Sequence, residues 1–316
     1  MFLTTQHSLL LWTSLFIALP GALLAPTKGS ECTNPAIRRE WNTLPQSQRD
    51  AFHNAVKCLQ TKPSRIESGG VSKTLFDDYT YIHLQLEPLV HRVAALYPWH
   101  RYFTSLREKD MNECGYTEPL PYWDWTRNAA SAAAFRNATV FDPILGFGSP
   151  STPQGNSTVV CVDNGPYAGF QLNVPEPHCL GRGFSVDDEM VGNWTSSTVN
   201  TILEYPDFVR FWNNSESQPH NLIHLAVGGD LFAIYSPNEP LFFLHHAQVD
   251  RLWTLWQGRN ATRLLDYQGN TIQNSTVFNA TLQDTLDFMG LGDNRSVESV
   301  MDTLSNGLCY KYDDDE

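Results

Sequence analysis

The chain has 316 residues, of which 41% are hydrophobic and 12% aromatic, so it can bury a sizeable core. Its 34 acidic residues outnumber 21 basic ones, for a net charge of −13. This balance argues against a nucleic-acid partner and against binding to anionic membranes, because both surfaces attract proteins through an excess of Lys and Arg.

The N-terminus resembles a targeting segment. The first 25 residues contain no Lys, Arg, Asp or Glu, and an apolar run from Leu9 to Leu19 leads to small residues that end at Ala25. We expect residues 1–25 to be a signal peptide and the protein to be secreted. A buried N-terminal helix is the alternative, favoured by the lack of a basic start. No later stretch is long and apolar enough for a membrane span.

Cysteines and glycosylation sequons agree with secretion. The six cysteines include no C-x-x-C pair and can form three disulfides, of which Cys161–Cys179 is the most local. The sequence also contains eight N-x-S/T sequons, which predict N-linked glycans on the surface. These are Asn137, Asn156, Asn193, Asn213, Asn260, Asn274, Asn279 and Asn294.

Hydrophobic spacing in the first third of the chain predicts helices. We expect a helix over residues 35–60 with a break at Pro45, and a second over 75–96. Pro98 is placed to open a third helix at its first position.

The rest of the chain alternates between loops and helices. Residues 129–199 are rich in Gly, Pro, Ser and Asn, which predicts long loops. Helical periodicity returns over 208–227 and 240–256. We therefore expect one mainly α domain, a central helical bundle with long loops held by disulfides.

Six of the ten histidines form two groups of three, on either side of the loop-rich middle. In the second group His220 and His224 are four residues apart, so both lie on one helix face and can share a metal ion. This pair lacks the Glu of H-E-x-x-H, which disfavours a zinc protease. His246 follows on the next helix, where Asp250, one turn later, can orient a histidine or anchor an arginine.

The first group is His83, His91 and His100. A continuous helix would place His91 and His100 on opposite faces, so they converge only if the helix breaks, and Pro98 supplies a reason. Two groups of three imidazoles predict a binuclear site inside the bundle. Nitrogen ligands without thiolate or carboxylate suit copper or zinc, and spacing leaves both open.

His53 and His178 have no histidine nearby in the sequence. We expect them to be structural or surface residues. A purely structural role for all the histidines would leave their division into two triplets unexplained.

The residues around the histidines resemble the type-3 copper family, which includes tyrosinases, catechol oxidases and hemocyanins. The first group contains a P-W-H-R string from Pro98, and P-Y-W-D-W follows from Pro121. The second group contains H-N-L-I-H from His220 and H-H-A-Q-V-D-R-L-W from His245. The resemblance spans residues 32–312 and closes on the Y-x-Y motif at Tyr310.

This resemblance implies a catalytic domain over 26–312 that holds two copper ions, with dioxygen as co-substrate. In the family the second of the paired histidines binds metal, so His245 lies beside the site. An acidic tail over 313–316 follows, and we expect no C-terminal shielding domain. The implied ligands are His83, His91 and His100 for one copper, and His220, His224 and His246 for the other.

Three departures from the family pattern matter. Leu89 stands where many eukaryotic members have the cysteine of a thioether, so we expect no thioether. The usual N-D-P is Asn238-Glu239-Pro240, a conservative change. Ala233 aligns with a position that often carries a bulky gate, which predicts an open pocket.

The resemblance also implies an activity. The expected reaction is oxidation of o-diphenols, small phenolic substrates, to o-quinones, with ortho-hydroxylation of monophenols as a further activity. Glu216 and Asn221 stand where family members hold a water that takes the phenol's proton; the alternative for Glu216 is a solvated loop carboxylate. The main rival is an enzyme that tailors one specific aromatic or tyrosine-derived intermediate of secondary metabolism. A zinc-loaded non-redox relative and an oxygen carrier are less favoured.

Overall fold

The structure is a computed structural model that describes residues 1–2, 32–151, 159–305 and 307–313. Most of the expected signal peptide, the sequon at Asn156 and the last three residues of the acidic tail lie outside the described residues. No described helix has the length and apolar character needed to cross a bilayer.

Helices dominate the described chain, as predicted. Four of them, α1, α2, α3 and α10, are long, and α7 and α8 together make a fifth long element. The bounds are α1 Gln46–Leu59, α2 Leu75–Val90, α3 Leu96–Asn112, α4 Ala132–Arg136, α5 Asp188–Val191, α6 Ser196–Leu203, α7 Phe208–Ser215, α8 Asn221–Val227, α9 Gly229–Phe232 and α10 Leu241–Gly258.

The strands are short and form two-stranded pairs at the edges of the helical core. Their pairing is β1 with β8, β2 with β5, β3 with β4 and β6 with β7. The bounds are β1 Ala36–Arg38, β2 Val160–Cys161, β3 Gln171–Leu172, β4 His178–Cys179, β5 Gly181–Arg182, β6 Thr285–Leu286, β7 Arg295–Ser296 and β8 Tyr310–Tyr312.

The helix predicted over 35–60 is wrong in its first half. Residues of β1 pair in parallel with β8, with Ala36 opposite Tyr310, and the Cys32–Cys309 disulfide holds the two segments together. The pairing partner lies more than 270 residues away in sequence, so local hydrophobic spacing contains no sign of it. The second half is helix α1, which begins just after Pro45 as expected.

The expected break between α2 and α3 is present. Helix α2 starts with a capping box between Thr74 and Asp77 and ends at Val90. His91 is extended, and α3 begins at Leu96. Pro98 is therefore the third residue of α3 rather than the first; it costs no hydrogen bond there, because the first N–H groups of a helix lack an intrahelical acceptor.

Helices α7 and α8 are one rod interrupted by a π-helical turn over Glu216–His220. Pro219 lies inside this turn and has no N–H for a regular helical hydrogen bond. The wider turn changes the angular phase of the helix, and such turns are frequent at functional sites.

A buried ion pair links the two central helices α3 and α10. Arg101 Nε lies 2.5 Å from Asp250 Oδ1, and both side chains are almost inaccessible to solvent. The Arg101 guanidinium also stacks 3.8 Å from the Trp253 ring. The hydroxyls of Tyr310 and Tyr312 donate to the other oxygen of Asp250. Asp250 thus anchors an arginine, one of the two roles predicted for it, and joins the Y-x-Y strand to the bundle.

Three disulfides hold the loops and termini: Cys32–Cys309, Cys58–Cys114 and the predicted Cys161–Cys179. All six cysteines are therefore used, which leaves none for a thioether and confirms that prediction. In the described parts of the predicted loop region, residues 129–151 and 159–199, long loops are confirmed, although the short helices α4 and α5, the start of α6 and the two-residue strands β2 to β5 interrupt them.

Candidate metal centre

The bundle brings the predicted histidines into two adjacent clusters. One cluster contains His83 from α2, His91 from the residue after α2, and His100 from α3. In each cluster the candidate ligand nitrogens lie within 4.8 Å of one another. The second cluster takes its members from the π-helical turn, α8 and α10: His220, His224, His245 and His246.

The break between α2 and α3 shapes the first cluster. His91 is 4.9 Å from His83 and 5.0 Å from His100, measured between ring centroids. Without the turn over residues 91–95, His91 and His100 would face opposite ways. His91 is half-buried, whereas His83 and His100 are buried, so His91 is the member of this cluster nearest to solvent.

The second cluster contains one more imidazole than the three implied by the family resemblance. His245 lies 4.7 Å from His224, and His246 lies 5.0 Å from His220, between ring centroids. His246 also stacks on His100 of the first cluster, with a centroid distance of 4.1 Å. His246 therefore lies between the clusters, whereas His245 lies on the outer side, toward Trp125. The assignment of His246 as the ligand stays a prediction.

Hydrogen bonds orient five of the imidazoles. In each, Nδ1 faces a fixed acceptor: the carbonyls of Ile234 for His83, Glu87 for His91, Leu96 for His100 and Leu231 for His224, and the side-chain Oδ1 of Asn221 for His220. An Nδ1–H that donates to these acceptors leaves Nε2 as a lone-pair donor.

The ring nitrogens that remain are what a metal site requires. Within the described ranges, the buried Nε2 atoms of His83, His100, His220, His224 and His246 have no hydrogen-bond partner. Buried polar atoms without partners are costly, so each calls for an explanation. Two metal ions held by these five nitrogens would give each of them a partner, and the residues present fit such a centre. Both ring nitrogens of His245 and Nδ1 of His246 also lack a partner among the described residues, and this arrangement does not account for them.

The electrostatic environment keeps the ligands in their metal-binding form. Burial lowers the pKa of His83 to about 3 and that of His224 to about 4. Burial likewise holds the pKa of His91, His100, His220 and His246 well below the ordinary value. All six are therefore neutral near pH 7, which is the form that binds metal.

Glu216 and Asn221 both lie at the edge of the second cluster. The Glu216 carboxylate accepts from the backbone N–H of Arg92 at 2.6 Å and from Trp212 Nε1 at 2.7 Å. Only 4% of Glu216 is exposed, so the alternative of a solvated loop carboxylate is wrong. Burial raises the pKa of Glu216 to about 7.

A cavity of about 410 Å³ opens onto both clusters. Its wall includes His83, His91, His220 and His224, together with Glu216 and Asn221. Phe232, Ala233 and Ile234 form its apolar side, and the small Ala233 contributes no gate, in line with the open pocket predicted there.

Two features of the centre were not predicted from the sequence. One is the inclusion of His245 in the second cluster, although the H-H pair is visible in the sequence. The other is Arg92, which lies on the cavity wall in a left-handed conformation with φ 55°. The predictions for His53 and His178 are consistent with the structure, where neither belongs to a cluster: His53 is buried among aromatic rings and His178 pairs with Asp230.

Comparison with known proteins identifies the family. Residues 73–259 match the common central domain of tyrosinase, which is more than half of the chain and contains all six predicted ligands. The chain belongs to the tyrosinase family.

Relatives of this tyrosinase-family protein match almost its whole length. Tyrosinase ustQ of Aspergillus flavus is 38% identical over 295 residues, covering 89% of this chain and 80% of the relative. Tyrosinase-like protein phomQ1 of Diaporthe leptostromiformis is 35% identical, covering 90% and 79%. A solved polyphenol oxidase from Thermothelomyces thermophila superposes with a TM-score of 0.76 at 30% identity, covering 88% of each chain.

These similarities show a tyrosinase-like oxidoreductase of the type-3 copper family. The family implies a binuclear copper site, and the two histidine clusters are consistent with it.

Proposed function

We propose that this tyrosinase-family protein is a copper-dependent phenol oxidase that uses dioxygen to oxidise o-diphenols to o-quinones. One observation carries the proposal. Members of both clusters, His83 and His91 from the first and His220 and His224 from the second, line a single cavity that is open to substrate, and the buried Nε2 atoms of His83, His220 and His224 have no hydrogen-bond partner. Each turnover takes two electrons and two protons from the diphenol, and two turnovers reduce one dioxygen to two waters.

Copper supplies the redox chemistry with dioxygen when it is bound; the chain supplies position and proton transfer. His83, His91 and His100 would hold one ion, and His220, His224 and His246 the other. The apolar side of the cavity, formed by Phe232, Ala233 and Ile234, packs against the ring of the substrate. Phe232 and Ile234 are more than half exposed, so this side is accessible from solvent.

Glu216 and Asn221 are placed to move a proton. The Glu216 carboxylate is fixed by two hydrogen bonds, and its raised pKa suits a base that works near neutral pH. With Asn221 it would hold a water that takes the proton from the phenol hydroxyl. This step supports ortho-hydroxylation of monophenols as a second activity of the same site.

The second candidate function is oxidation of one specific aromatic intermediate. A further cavity of about 500 Å³ adjoins the first and shares Arg92, Glu216 and Asn221 with it. A general phenol oxidase has no need of this extra space, so the cavity favours a larger, defined substrate.

Metal analysis and oxygen uptake test the proposal. We expect two copper ions per chain, a near-UV absorption band on addition of hydrogen peroxide, and oxygen uptake with 4-methylcatechol. A panel of monophenols, catechols and o-aminophenols then separates the broad oxidase from the specific one. Zinc in the purified protein, or copper-loaded protein without oxygen uptake on any of these, would contradict the proposal.

We also infer that the protein passes through the secretory pathway. The three disulfides support an oxidising compartment. Of the seven sequon asparagines that the structure describes, six are exposed, as glycan attachment requires: Asn137, Asn213, Asn260, Asn274, Asn279 and Asn294. We expect glycosidase treatment to lower the mass and N-terminal sequencing to begin near residue 26. An unglycosylated protein that retains its first residues would argue against this route.

A further inference from the structure

The second cavity, of about 500 Å³, is not explained by the oxidation of a small phenol. It meets the metal pocket at Arg92, Glu216 and Asn221, which line both. A phenol ring in the metal pocket would therefore direct a long substituent toward this second space.

The lining of the second cavity indicates what such a substituent would contain. Two aromatic residues, Trp212 and Phe278, provide apolar surface. The remaining wall offers amide and hydroxyl groups from Ser217, Asn270, Ser275 and Thr276, whereas its two exposed asparagines, Asn213 and Asn274, are sequon residues expected to carry glycans. A wall of this kind is better suited to a polar extension, which can form hydrogen bonds with it, than to a hydrocarbon chain.

Hydrogen bonds tie the wall of the second cavity to the metal centre. Asn270 Nδ2 donates to the Arg92 carbonyl at 2.9 Å, and Gln273 Nε2 donates to the His91 carbonyl at 3.1 Å. The Ala94 N–H also donates to the Asn270 carbonyl. The loop that contains Asn270 and Gln273 is therefore connected to the turn that carries His91. The position of the second cavity is thereby fixed relative to the histidine clusters.

Arg92 lies where the metal pocket and the second cavity meet, and its guanidinium can bind an anionic group. Its backbone N–H is committed to Glu216, which fixes where the side chain starts. Its side chain is 57% exposed, and the guanidinium makes one ion-pair contact, 3.3 Å to Glu87. Within the described residues the other guanidinium nitrogens have no partner. An exposed, long ion pair of this kind contributes little and is easily replaced by a better anion.

We propose that Arg92 binds the carboxylate of a phenolic substrate whose side chain extends from the metal pocket into the second cavity. This inference rests on the proposed phenol oxidase function and names its substrate class. The planar guanidinium can form two parallel hydrogen bonds to a carboxylate, a geometry that an exposed amine or amide cannot reproduce. Glu87 competes for the same guanidinium.

A matched pair of catechols tests the role of Arg92. The probes are 3-(3,4-dihydroxyphenyl)propanoate and its methyl ester, which differ at the relevant end by the negative charge and by one methyl group. We expect kcat/KM to favour the acid by about tenfold in the native protein, the lower range for a charge-assisted contact at a partly exposed site. The preference should vanish in Arg92→Gln and persist in Arg92→Lys at a reduced level.

Two further variants sharpen the result. Glu87→Gln removes the competing carboxylate, so the acid-to-ester ratio should rise above that of the native protein. Arg210→Gln is the matched control, since Arg210 is 64% exposed and pairs loosely with Asp207 away from both cavities. An acid-to-ester ratio that is unchanged in Arg92→Gln, or that falls equally in Arg210→Gln, would overturn the proposal.

A bulky residue probes the second cavity itself. Ser275 lines this cavity but not the metal pocket, and it lies outside the π-helical turn that carries Glu216 and His220. Ser275→Trp should reduce kcat/KM for the amide that the propanoate probe forms with glycine by about tenfold relative to 4-methylcatechol. An equal effect on both substrates would exclude the second cavity as the place where the side chain binds.

Binding to redox-silent protein separates this inference from the proposed function. Zinc-loaded protein and its Arg92→Gln variant are titrated calorimetrically with the propanoate probe. If the acid binds through Arg92 but the copper form oxidises no phenol, the phenol oxidase function fails and the subsite stands. If phenols are oxidised and Arg92→Gln changes neither the binding of the acid nor its oxidation, the subsite fails alone.

Discussion

Burial of individual side chains changes their pKa, and Glu216 is the clearest case at the candidate site. Glu216 has both carboxylate oxygens engaged by N–H donors, yet burial raises its pKa to about 7. A water held by this carboxylate would therefore have a base whose pKa matches the pH of the reaction. Only the family resemblance predicted that Glu216 and Asn221 lie beside the second cluster. Sequence spacing shows neither the burial of Glu216 nor its hydrogen bonds with Arg92 and Trp212.

Glu216→Gln tests the proposed base. The variant keeps the size of the side chain but cannot take a proton, so monophenol hydroxylation should fall about 100-fold or more while diphenol oxidation falls much less. Steady-state kcat with 4-methylphenol and 4-methylcatechol gives the comparison. Glu204→Gln, at an exposed carboxylate paired with Arg259, is the control. Equal losses on both substrates would contradict the role.

His53 makes the stability of the protein sensitive to acid. It is buried among aromatic rings with Nδ1 3.0 Å from the Tyr167 hydroxyl, and burial lowers its pKa to about 3. The unfolded chain takes up a proton near pH 6.5 and the folded one does not, so stability falls as the pH drops through 6.5 toward 3. Between pH 7 and pH 5 the loss is about 2 kcal/mol.

His53→Gln should reduce the loss of stability between pH 7 and pH 5 by about 2 kcal/mol, as measured by denaturant unfolding, while the cluster histidines, whose pKa values burial also lowers, keep their own share of the acid dependence. His178→Gln is the contrasting variant. Burial alone would lower the pKa of His178, but its hydrogen bond to Asp230 raises it above the ordinary value. The stability that His178 contributes is present below pH 6.5 and is lost as the pH rises. Identical pH profiles for the native protein and His53→Gln would refute the assignment.

At the scale of elements, the helices were predicted and the interruptions that make the site were only partly predicted. Pro98 indicated a break before α3. Without this break, the His91 ring could not contact the His100 ring. The π-helical turn over Glu216–His220 was not predicted, since a helical pattern looks the same with one wider turn. The strand β1 was missed because its partner β8 lies at the other end of the chain.

Asp250 is the side chain on which the crossing of α3 and α10 depends. It lies one turn after His246 and accepts from Arg101, Tyr310 and Tyr312. Asp250→Asn leaves a buried guanidinium without its counter-charge, which we expect to cost about 3–5 kcal/mol of unfolding free energy and to lower copper occupancy. Asp293→Asn, at an exposed site, should cost less than about 0.5 kcal/mol.

Denaturant unfolding with copper analysis of the refolded protein measures both effects of Asp250→Asn. A loss of less than about 1 kcal/mol would mean that the contacts of Arg101 with Trp253 and the nearby backbone carbonyls hold the crossing without the ion pair.

For the whole molecule, bound metal ions would act as a cross-link. Their predicted ligands come from α2, α3, α8, α10, the turn after α2 and the π-helical turn, so bound copper joins elements that are distant in sequence. Removing both ions with a chelator should lower stability by about 4 kcal/mol for each ion, about 8 kcal/mol in all, if copper is present at a thousand times the Kd of each site. Thermal unfolding before and after copper is restored measures this shift.

The variant His83→Gln/His220→Gln, which loses one predicted ligand from each cluster, provides the control for metal removal. Its thermal midpoint should respond little to copper. A full copper-dependent shift in that variant would mean that the ions stabilise the protein from a different site.

The sequence by itself determined the family of this protein and the residues of its candidate site: the two histidine triplets, the flanking strings that resemble type-3 copper proteins, the helical periodicity and the even cysteine count. Local patterns carry these features, because a helix face and a metal ligand each need only a few nearby residues. The tertiary structure alone decided the rest: the pairing of β1 with β8, the place of His245 in the second cluster, the burial of Glu216, and the second cavity beside Arg92. Each of these features depends on contacts between segments that are far apart in the chain. The spacing of nearby residues does not predict which distant segments come into contact.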